Sequence, residues 1–240
     1  MTDPQTLAAA LIEAHRTGTR VEAPVLPLPR DEALWVQAAV MADLGPVAGF
    51  KVARVAGGAP ILAPIPACHR LADGGTHRVR DRVGVELEVG FELIAPLPAG
   101  DLPTDLAAFF RPCVVLELVD TRLSGPAADD PAMKLADLQV NAGLVVGGAL
   151  SDWDGSDFGT VTGALRVGDQ VVLDGPATVP GGSALANLAL LVANVGDHCG
   201  GLQPGQVVIT GSLCGLPRFG PGHAVKGQIA GLGRVALALA

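Results

Sequence analysis

Three glutamates in two apolar segments of the sequence could bind a metal ion. Segment 83–93 alternates strongly, and residues two apart in a β-strand point to the same face, so Glu86 and Glu88 should project together, about 6–7 Å apart. Glu117 lies within 114–119, an apolar run typical of a buried strand, where a carboxylate is costly unless it is paired or metal-bound. Without a neighbouring His or Cys, the three carboxylates would form an all-oxygen site, which suits Mg²⁺ or Mn²⁺ better than Ca²⁺. The alternative is a half-exposed strand whose acids face solvent.

The elements that must position these glutamates fall into two parts. Amphipathic spacing predicts helices over 3–17 and 31–44, ended by Gly18 and by Gly45-Pro46 respectively. Three further helices are expected later in the chain, over 104–110, 131–140 and 183–195. Short β-rich runs separated by Gly, Pro and Asp turns predict strands at 50–55, 83–94, 114–119, 144–147, 160–167, 170–173, 207–210, 224–229 and 234–239. The pattern favours an α+β fold built on a β-sandwich or roll, with a helical portion over 1–46 and a β-rich domain over 47–240.

Composition and missing motifs exclude several function classes. The net charge of -8 and an aromatic content of 3% argue against nucleic acid as a partner, because phosphate binding needs a basic face and bases need stacking platforms. No apolar stretch approaches the roughly 18–20 residues that span a bilayer, and the chain start lacks the pattern of a secretory signal. Neither a Gly-rich nucleotide-binding loop nor a G-x-S-x-G nucleophile motif is present. We therefore expect a cytoplasmic protein without a membrane partner.

An ordered series of motifs covers nearly the whole chain. The motifs are 49–52 (Gly-Phe-Lys-Val), 86–91 (Glu-x-Glu with Phe91), 116–122 (Leu-Glu-Leu-Val-Asp-Thr-Arg), 134–137 with Asn141, 184–189, 205–213 and 231–235. Together they resemble the 2-hydroxypenta-2,4-dienoate (2-keto-4-pentenoate) hydratase branch of the fumarylacetoacetate hydrolase superfamily. The resemblance implies a mixed β-roll with a small helical N-terminal portion, which makes 47–240 the catalytic domain. It also implies an assembly of identical subunits.

The resemblance further implies a site and a reaction. Glu86, Glu88 and Glu117 would bind one Mg²⁺ or Mn²⁺ that chelates the carboxylate and 2-oxo oxygen of a small 2-oxo acid, and water would add to the conjugated chain to give a 4-hydroxy-2-oxo acid in aromatic-compound catabolism. Lys51 would be the active-site lysine, either with a lowered pKa for proton transfer or charged to steady an enolate. The alternative for Lys51 is a surface lysine on a strand.

Three further polar residues are predicted to contribute to catalysis or substrate binding. Asp137 and Asn141 would position water or the substrate tail, unless they simply cap the helix that starts at Pro131. Ser212 would line the pocket, although Thr-Gly-Ser is also ordinary turn chemistry.

The loop after Lys51 departs from the family pattern. An expected acidic residue is absent, whereas Arg54, His69 and Arg70 are present. Arg54 could bind a second carboxylate and thereby indicate a dicarboxylic substrate. Three alternatives to the hydratase therefore remain: a metal-dependent 2-oxo-enedioate (4-oxalocrotonate-type) decarboxylase, an acylpyruvate-type C–C hydrolase using His69, and a catalytically inactive homologue.

Overall fold

Four α-helices lie in the part of the chain that the computed structural model describes, residues 3–98, 100 and 102–240. They are α1 (Pro4–Thr17), α2 (Arg30–Leu44), α3 (Pro131–Ala136) and α4 (Ala184–Val195). Their ends follow local sequence signals: the Asp3 side chain accepts from the backbone N–H of Thr6 at the start of α1, and Gly18 adopts the left-handed conformation that ends it. Within these described residues, no helix is both long and apolar enough to cross a membrane.

The strands form two larger sheets and one two-stranded ladder. The strands are β1 (Val21–Glu22), β2 (Val47–Ala53), β3 (Ile61–Pro66), β4 (Arg70–Leu71), β5 (Thr76–His77), β6 (Val83–Leu93), β7 (Phe110–Val119), β8 (Leu123–Ser124), β9 (Asn141–Ala149), β10 (Thr160–Val167), β11 (Gln170–Thr178), β12 (Val207–Ile209), β13 (Arg218–Phe219), β14 (His223–Ile229) and β15 (Gly233–Leu239). The eight-stranded sheet has the order β3-β2-β12-β6-β7-β9-β4, with β13 also pairing β6. The five-stranded sheet has the order β11-β10-β14-β15-β5, and β1 pairs β8.

The larger sheet has two different faces around β6 and β7. Leu87, Val89 and Phe91 are fully buried in the main hydrophobic core, which also contains residues of the five-stranded sheet. Gly163 and Gly227 of that second sheet lie directly over Leu87. The even-numbered residues of β6 point to the opposite face, as the alternation of a strand requires. The fold is thus the mixed, curled-sheet α+β architecture predicted from the sequence.

The N-terminal helices share a second hydrophobic cluster with α3. Leu7 and Leu11 of α1, Val36 and Val40 of α2, and Met133 of α3 are all buried in it. The helical portion therefore packs against a helix from the β-rich part of the chain. The boundary at residue 46 stays a prediction.

Two of the expected helices differ from the structure. Over 104–110 the helix prediction is wrong: only a single 3₁₀ turn (Leu106–Ala108) forms, without a side-chain cap, and Phe110 already begins β7. The helix predicted over 131–140 ends at Ala136, because Asp137 leaves helical geometry and the next three residues have positive φ. Strand β3 was not predicted, since Pro64 and Pro66 within it read as loop signals.

Candidate active site

Strand register brings the three predicted glutamates together. Glu86 of β6 lies directly opposite Glu117 of β7, and Glu88 follows two residues later on the same face. One carboxylate oxygen from each residue lies within 4.8 Å of the other two. Glu88 is only 2% exposed, so the solvent-facing alternative is wrong for this residue, and Glu117 is buried at 1% exposed. This group can hold a metal ion.

The electrostatics of the group fit a divalent cation. Burial, and then the charge of Glu117, raise the pKa of Glu86 to about 7. Burial and the charges of Glu117 and Glu86 raise the pKa of Glu88 well above its usual value. Lys51 supplies one positive charge beside them, so the ionised group of three carboxylates and one ammonium carries an excess of two negative charges. An all-oxygen donor set with that excess matches Mg²⁺ or Mn²⁺.

Lys51 reaches the carboxylates from β2, the next strand but one from β6. The backbone of Gly49 is packed so tightly against Val207 of β12 that a Cβ there would lie 2.1 Å from the Val207 carbonyl oxygen, which explains the glycine in this motif. The Nζ of Lys51 donates to Glu117 Oε1 at 2.6 Å and to the backbone carbonyl of Gln139 at 3.2 Å. Burial alone would lower the pKa of Lys51, but the charges of Glu117 and Glu86 outweigh it and raise that pKa. The lysine is therefore charged in the metal-free protein.

An unusual backbone turn delivers the Gln139 carbonyl to Lys51. Leu138, Gln139 and Val140 have φ values of 51°, 48° and 55°. A non-glycine residue in this left-handed region costs roughly 1–2 kcal/mol, so three in succession mark a strained segment. Gln139 also lines the cavity that contains the three glutamates, here called the metal cavity. Its side-chain Oε1 is buried without a hydrogen-bond partner among the described residues. Sequence reasoning missed this residue because the turn interrupts an apparently helical pattern.

The segment after β12 closes the other side of the group. The backbone N–H of Gly211 donates to Glu88 Oε2 at 2.6 Å, and Thr210 Oγ1 donates to the Val89 carbonyl at 2.8 Å. Ser212 lines the cavity, and its hydroxyl donates to the Gly215 carbonyl at 2.6 Å, while a role for it in catalysis stays a prediction. Ser212 therefore both lines the cavity and stabilises the turn that follows it.

Arg54 lies at the same cavity, fixed by a buried asparagine. The Arg54 Nε donates to Asn187 Oδ1 at 2.8 Å, and the Asn187 amide in turn donates to the carbonyls of Pro180 and Thr210. The cavity has a volume of about 230 Å³ and contains both the glutamates and Arg54 in its lining. Asn187 was visible in the sequence only as part of the motif 184–189, without an assigned role.

Asp137 and Asn141 lie behind the cavity and are not among its lining residues. Asp137 is completely buried and accepts from the Nε and backbone N–H of Arg122 and from Thr121 Oγ1. The Asn141 amide donates to Glu117 Oε1 at 2.8 Å, and its Oδ1 accepts from Nδ1 of His69 at 3.0 Å. That they position water or the substrate tail stays a prediction. The capping alternative holds in part for Asp137, which is the C-cap residue of α3 and donates its backbone N–H to the Met133 carbonyl, whereas Asp130 caps the start of the helix.

Fold and site together define a curled-sheet protein with a largely buried group of three carboxylates that can hold a metal ion and a lysine beside it. No protein-family model and no curated protein matches the chain. Among solved structures, it resembles 4-oxalocrotonate decarboxylase from Pseudomonas putida G7, complexed with magnesium and adipate, at 21% identity and a TM-score of 0.78 over 99% of this chain and 97% of that one.

Two isomerases show the same fold over a shorter range. The 5-carboxymethyl-2-hydroxymuconate delta-isomerase from Mycobacterium smegmatis is 19% identical, with a TM-score of 0.58 over 81% of this chain and 80% of its own. The 2-hydroxyhepta-2,4-diene-1,7-dioate isomerase from Mycobacterium marinum is 15% identical, with a TM-score of 0.57 over 81% and 75% of the two chains. At these identities the likeness shows the fold alone, which is fumarylacetoacetate-hydrolase-like.

Proposed function

We propose that the protein is a divalent-metal-dependent lyase that acts on a small 2-oxo acid. The observation that carries the proposal is the single cavity in which Glu86, Glu88 and Glu117 meet Lys51. A 2-oxo carboxylate offers two oxygens on adjacent carbons, which together would fill two open coordination positions of a metal ion held by the three glutamates. Bound there, Mg²⁺ or Mn²⁺ would polarise the 2-oxo group as a Lewis acid.

Arg54 favours a substrate with a second carboxylate, and hence decarboxylation of a 2-oxo-enedioate. Its guanidinium is held by Asn187 on the wall of the same cavity as the glutamates. A guanidinium binds a carboxylate through two parallel hydrogen bonds, so it would fix both the position and the rotation of the distal group. The magnesium complex of the 4-oxalocrotonate decarboxylase with adipate, a dicarboxylate, supports this assignment.

The roles of the remaining groups follow from the bond that must break. In a 2-oxo-enedioate, the bond to the distal carboxyl carbon cleaves, its electron pair moves through the conjugated chain to the 2-oxo oxygen, and carbon dioxide leaves. Arg54 would orient the departing carboxylate. The Lys51 ammonium, already bonded to Glu117 and the Gln139 carbonyl, would hold a proton beside the oxygen that gains charge.

Hydration of a 2-hydroxy-2,4-dienoate is a second candidate, and Gln139 favours it. Gln139 lines the cavity, and its buried side-chain oxygen lacks a partner among the described residues, so a rotation of this side chain would present an unpaired acceptor to the water that adds. The sequence motifs resemble this branch. The C–C hydrolase alternative has less support, because His69 contacts Asn141 and no histidine lines this cavity in the described ranges.

The two candidates are separated by supplying each substrate to the purified protein with Mg²⁺. We expect carbon dioxide release from 2-oxo-3-hexenedioate that disappears in Glu88→Gln. Loss of dienol absorbance with 2-hydroxypenta-2,4-dienoate, without carbon dioxide release from the enedioate, would instead support the hydratase. Inactivity of the wild-type protein towards both compounds would overturn the proposed lyase.

Arg54→Gln tests the predicted contact with the distal carboxylate. We expect KM for the enedioate to rise about 10- to 100-fold, since a charge-assisted hydrogen bond contributes about 1.5–3 kcal/mol. Arg166→Gln is the matched control, because Arg166 is an exposed arginine of β10 outside the cavity. An unchanged KM in Arg54→Gln would remove the argument for a dicarboxylic substrate.

A further inference from the structure

A second and larger cavity lies apart from the metal cavity. Its volume is about 660 Å³, within the usual range for small-molecule sites, and it shares no lining residue with the metal cavity. The C-terminal end of α1 and the segment 77–80 form its walls. His69 lines it and joins it to the metal group through the hydrogen bonds to Asn141 and Glu117.

Positive charge dominates the wall of this second cavity. Arg78 and Arg80 both line it, and neither forms an ion pair or a hydrogen bond with any described residue. The acid on the wall, Asp120, is already engaged by Arg20 at 2.6 Å and by the backbone N–H of Thr121. Two unengaged guanidiniums at one cavity are notable in a chain with 24 acidic and 16 basic residues.

Three of the five histidines of the chain, His15, His69 and His77, add further hydrogen-bonding groups to the same wall. The rings of His15 and His69 lie 5.4 Å apart between their centroids. The Nε2 of His15 is buried and has no hydrogen-bond partner within the described part of the chain. Burial, followed by the charge of Arg122, lowers the pKa of both His15 and His69, so these rings are neutral at physiological pH. A neutral imidazole can donate one N–H to a ligand oxygen.

We propose that this second cavity binds a small, doubly charged oxyanion, held by Arg78 and Arg80. Guanidinium groups form paired hydrogen bonds with both carboxylate and phosphate oxygens, so the shared chemistry is a compact dianion bearing several acceptor oxygens. This site is separate from the proposed 2-oxo acid site and does not depend on the lyase activity.

Titration calorimetry of the Mg²⁺-loaded protein with inorganic phosphate and with succinate, at pH 7.5 and low salt, tests the proposal and separates the two sources of the anion. We expect one of the two to bind at one site per chain. Its affinity should fall at least tenfold in the double variant Arg78→Gln/Arg80→Gln and should weaken as salt is raised. Both arginines are exposed, so folding should be retained, and thermal unfolding of the variant checks this.

Two control variants separate binding at this cavity from a general effect of net charge and from binding at the metal group. Arg166→Gln/Arg234→Gln changes the net charge equally on exposed arginines that do not line the cavity, and it should leave the affinity unchanged. Glu88→Gln should also retain binding, because the anion does not need the metal. Binding that survives Arg78→Gln/Arg80→Gln, binding lost in Glu88→Gln, or no binding of either anion would overturn the proposal. Sedimentation that shows self-association of the chain, lost in Arg78→Gln/Arg80→Gln and unaffected by the anion, would also overturn the proposal.

Discussion

Replacing Asp137 by asparagine would remove the negative charge from a buried ion pair beside the active site. Asp137 is 0% exposed and Arg122 7% exposed. The Asp137 carboxylate accepts from Arg122 Nε at 2.6 Å, from its backbone N–H at 2.9 Å and from Thr121 Oγ1 at 3.1 Å. The neutral amide would leave the Arg122 guanidinium buried without a counter-charge. It would also place its own NH₂ group against the N–H groups of Arg122 and the hydroxyl of Thr121, which are hydrogen-bond donors themselves.

The expected loss follows from the cost of an uncompensated buried charge. Burial raises the pKa of Asp137 despite the nearby Arg122 charge, which shows that desolvation opposes the formation of this ion pair. The pair therefore adds less to the stability of the protein than the loss of one partner would remove. Removing one partner of such a pair costs about 3–5 kcal/mol. We therefore expect the free energy of unfolding to fall by about that amount in Asp137→Asn.

Urea unfolding followed by circular dichroism measures this loss as a lower midpoint at unchanged slope. Asp129→Asn is the matched control, because the Asp129 side chain is 95% exposed and lies 3.9 Å from Lys134 Nζ. That exposed pair should change stability by less than about 1 kcal/mol. If Asp137→Asn kept wild-type stability while kcat dropped by orders of magnitude, Asp137 would act in catalysis, and the structural role derived from its contacts would be refuted.

Three further predictions concern the metal group and its supporting turn. Glu88→Gln should weaken Mg²⁺ binding at least 100-fold by calorimetry, whereas Glu92→Gln on the same strand, paired with Arg111, should leave it unchanged. Relative to Glu86→Gln, the metal-free wild-type protein should lose stability as pH rises from about 4.5 to 7: the pKa of Glu86 is raised to about 7 from 4.5, so the folded state binds the proton more tightly, and stability present at low pH is lost as that proton leaves. The comparison cancels the opposite contribution of the buried His15 and His69, whose pKa values are lowered. The full difference is about 3 kcal/mol, saturating Mg²⁺ should offset it, and a difference in melting temperature that stays constant over this range would contradict the assignment. Gln139→Gly should raise the free energy of unfolding by about 0.5–1 kcal/mol, because glycine relieves the left-handed strain at some entropic cost. Chemical denaturation measures this change, and a lower free energy of unfolding in the variant would show that the turn is unstrained.

The helices and the central strands could be predicted because their signals are local. Asp3, Pro4 and Gly18 bound α1 in the sequence just as they do in the structure. The alternation over 83–94 predicts both the length and the two faces of β6. Where local signals conflicted with tertiary pairing, prediction failed: Phe110 joins the sheet opposite Leu93 in spite of the helix-like segment before it.

The metal group could be predicted only in part for a related reason. Period-two alternation places Glu86 and Glu88 on one face, and the apolar surroundings of Glu117 indicate burial, but the register that sets Glu117 opposite Glu86 depends on two strands brought together by folding. The contact of Asn141 with Glu117 and that of Asn187 with Arg54 join residues 24 and 133 positions apart. No short-range pattern encodes such pairs.

Several features of the candidate site share one physical property, since each is unfavourable without a ligand. The left-handed turn at 138–140 is strained, the Gln139 side-chain oxygen lacks a partner among the described residues, and the carboxyl groups of Glu86 and Glu88 have raised pKa values because burial and mutual repulsion oppose their charge. Local propensity favours none of these arrangements, so they persist only because the surrounding sheets hold them. A divalent cation that binds the folded protein alone would stabilise it by mass action and would reverse the carboxylate repulsion. The residues that destabilise the metal-free protein are therefore the ones that a bound cation would stabilise. Stability measured with and without Mg²⁺ should reveal this site even before a substrate is known.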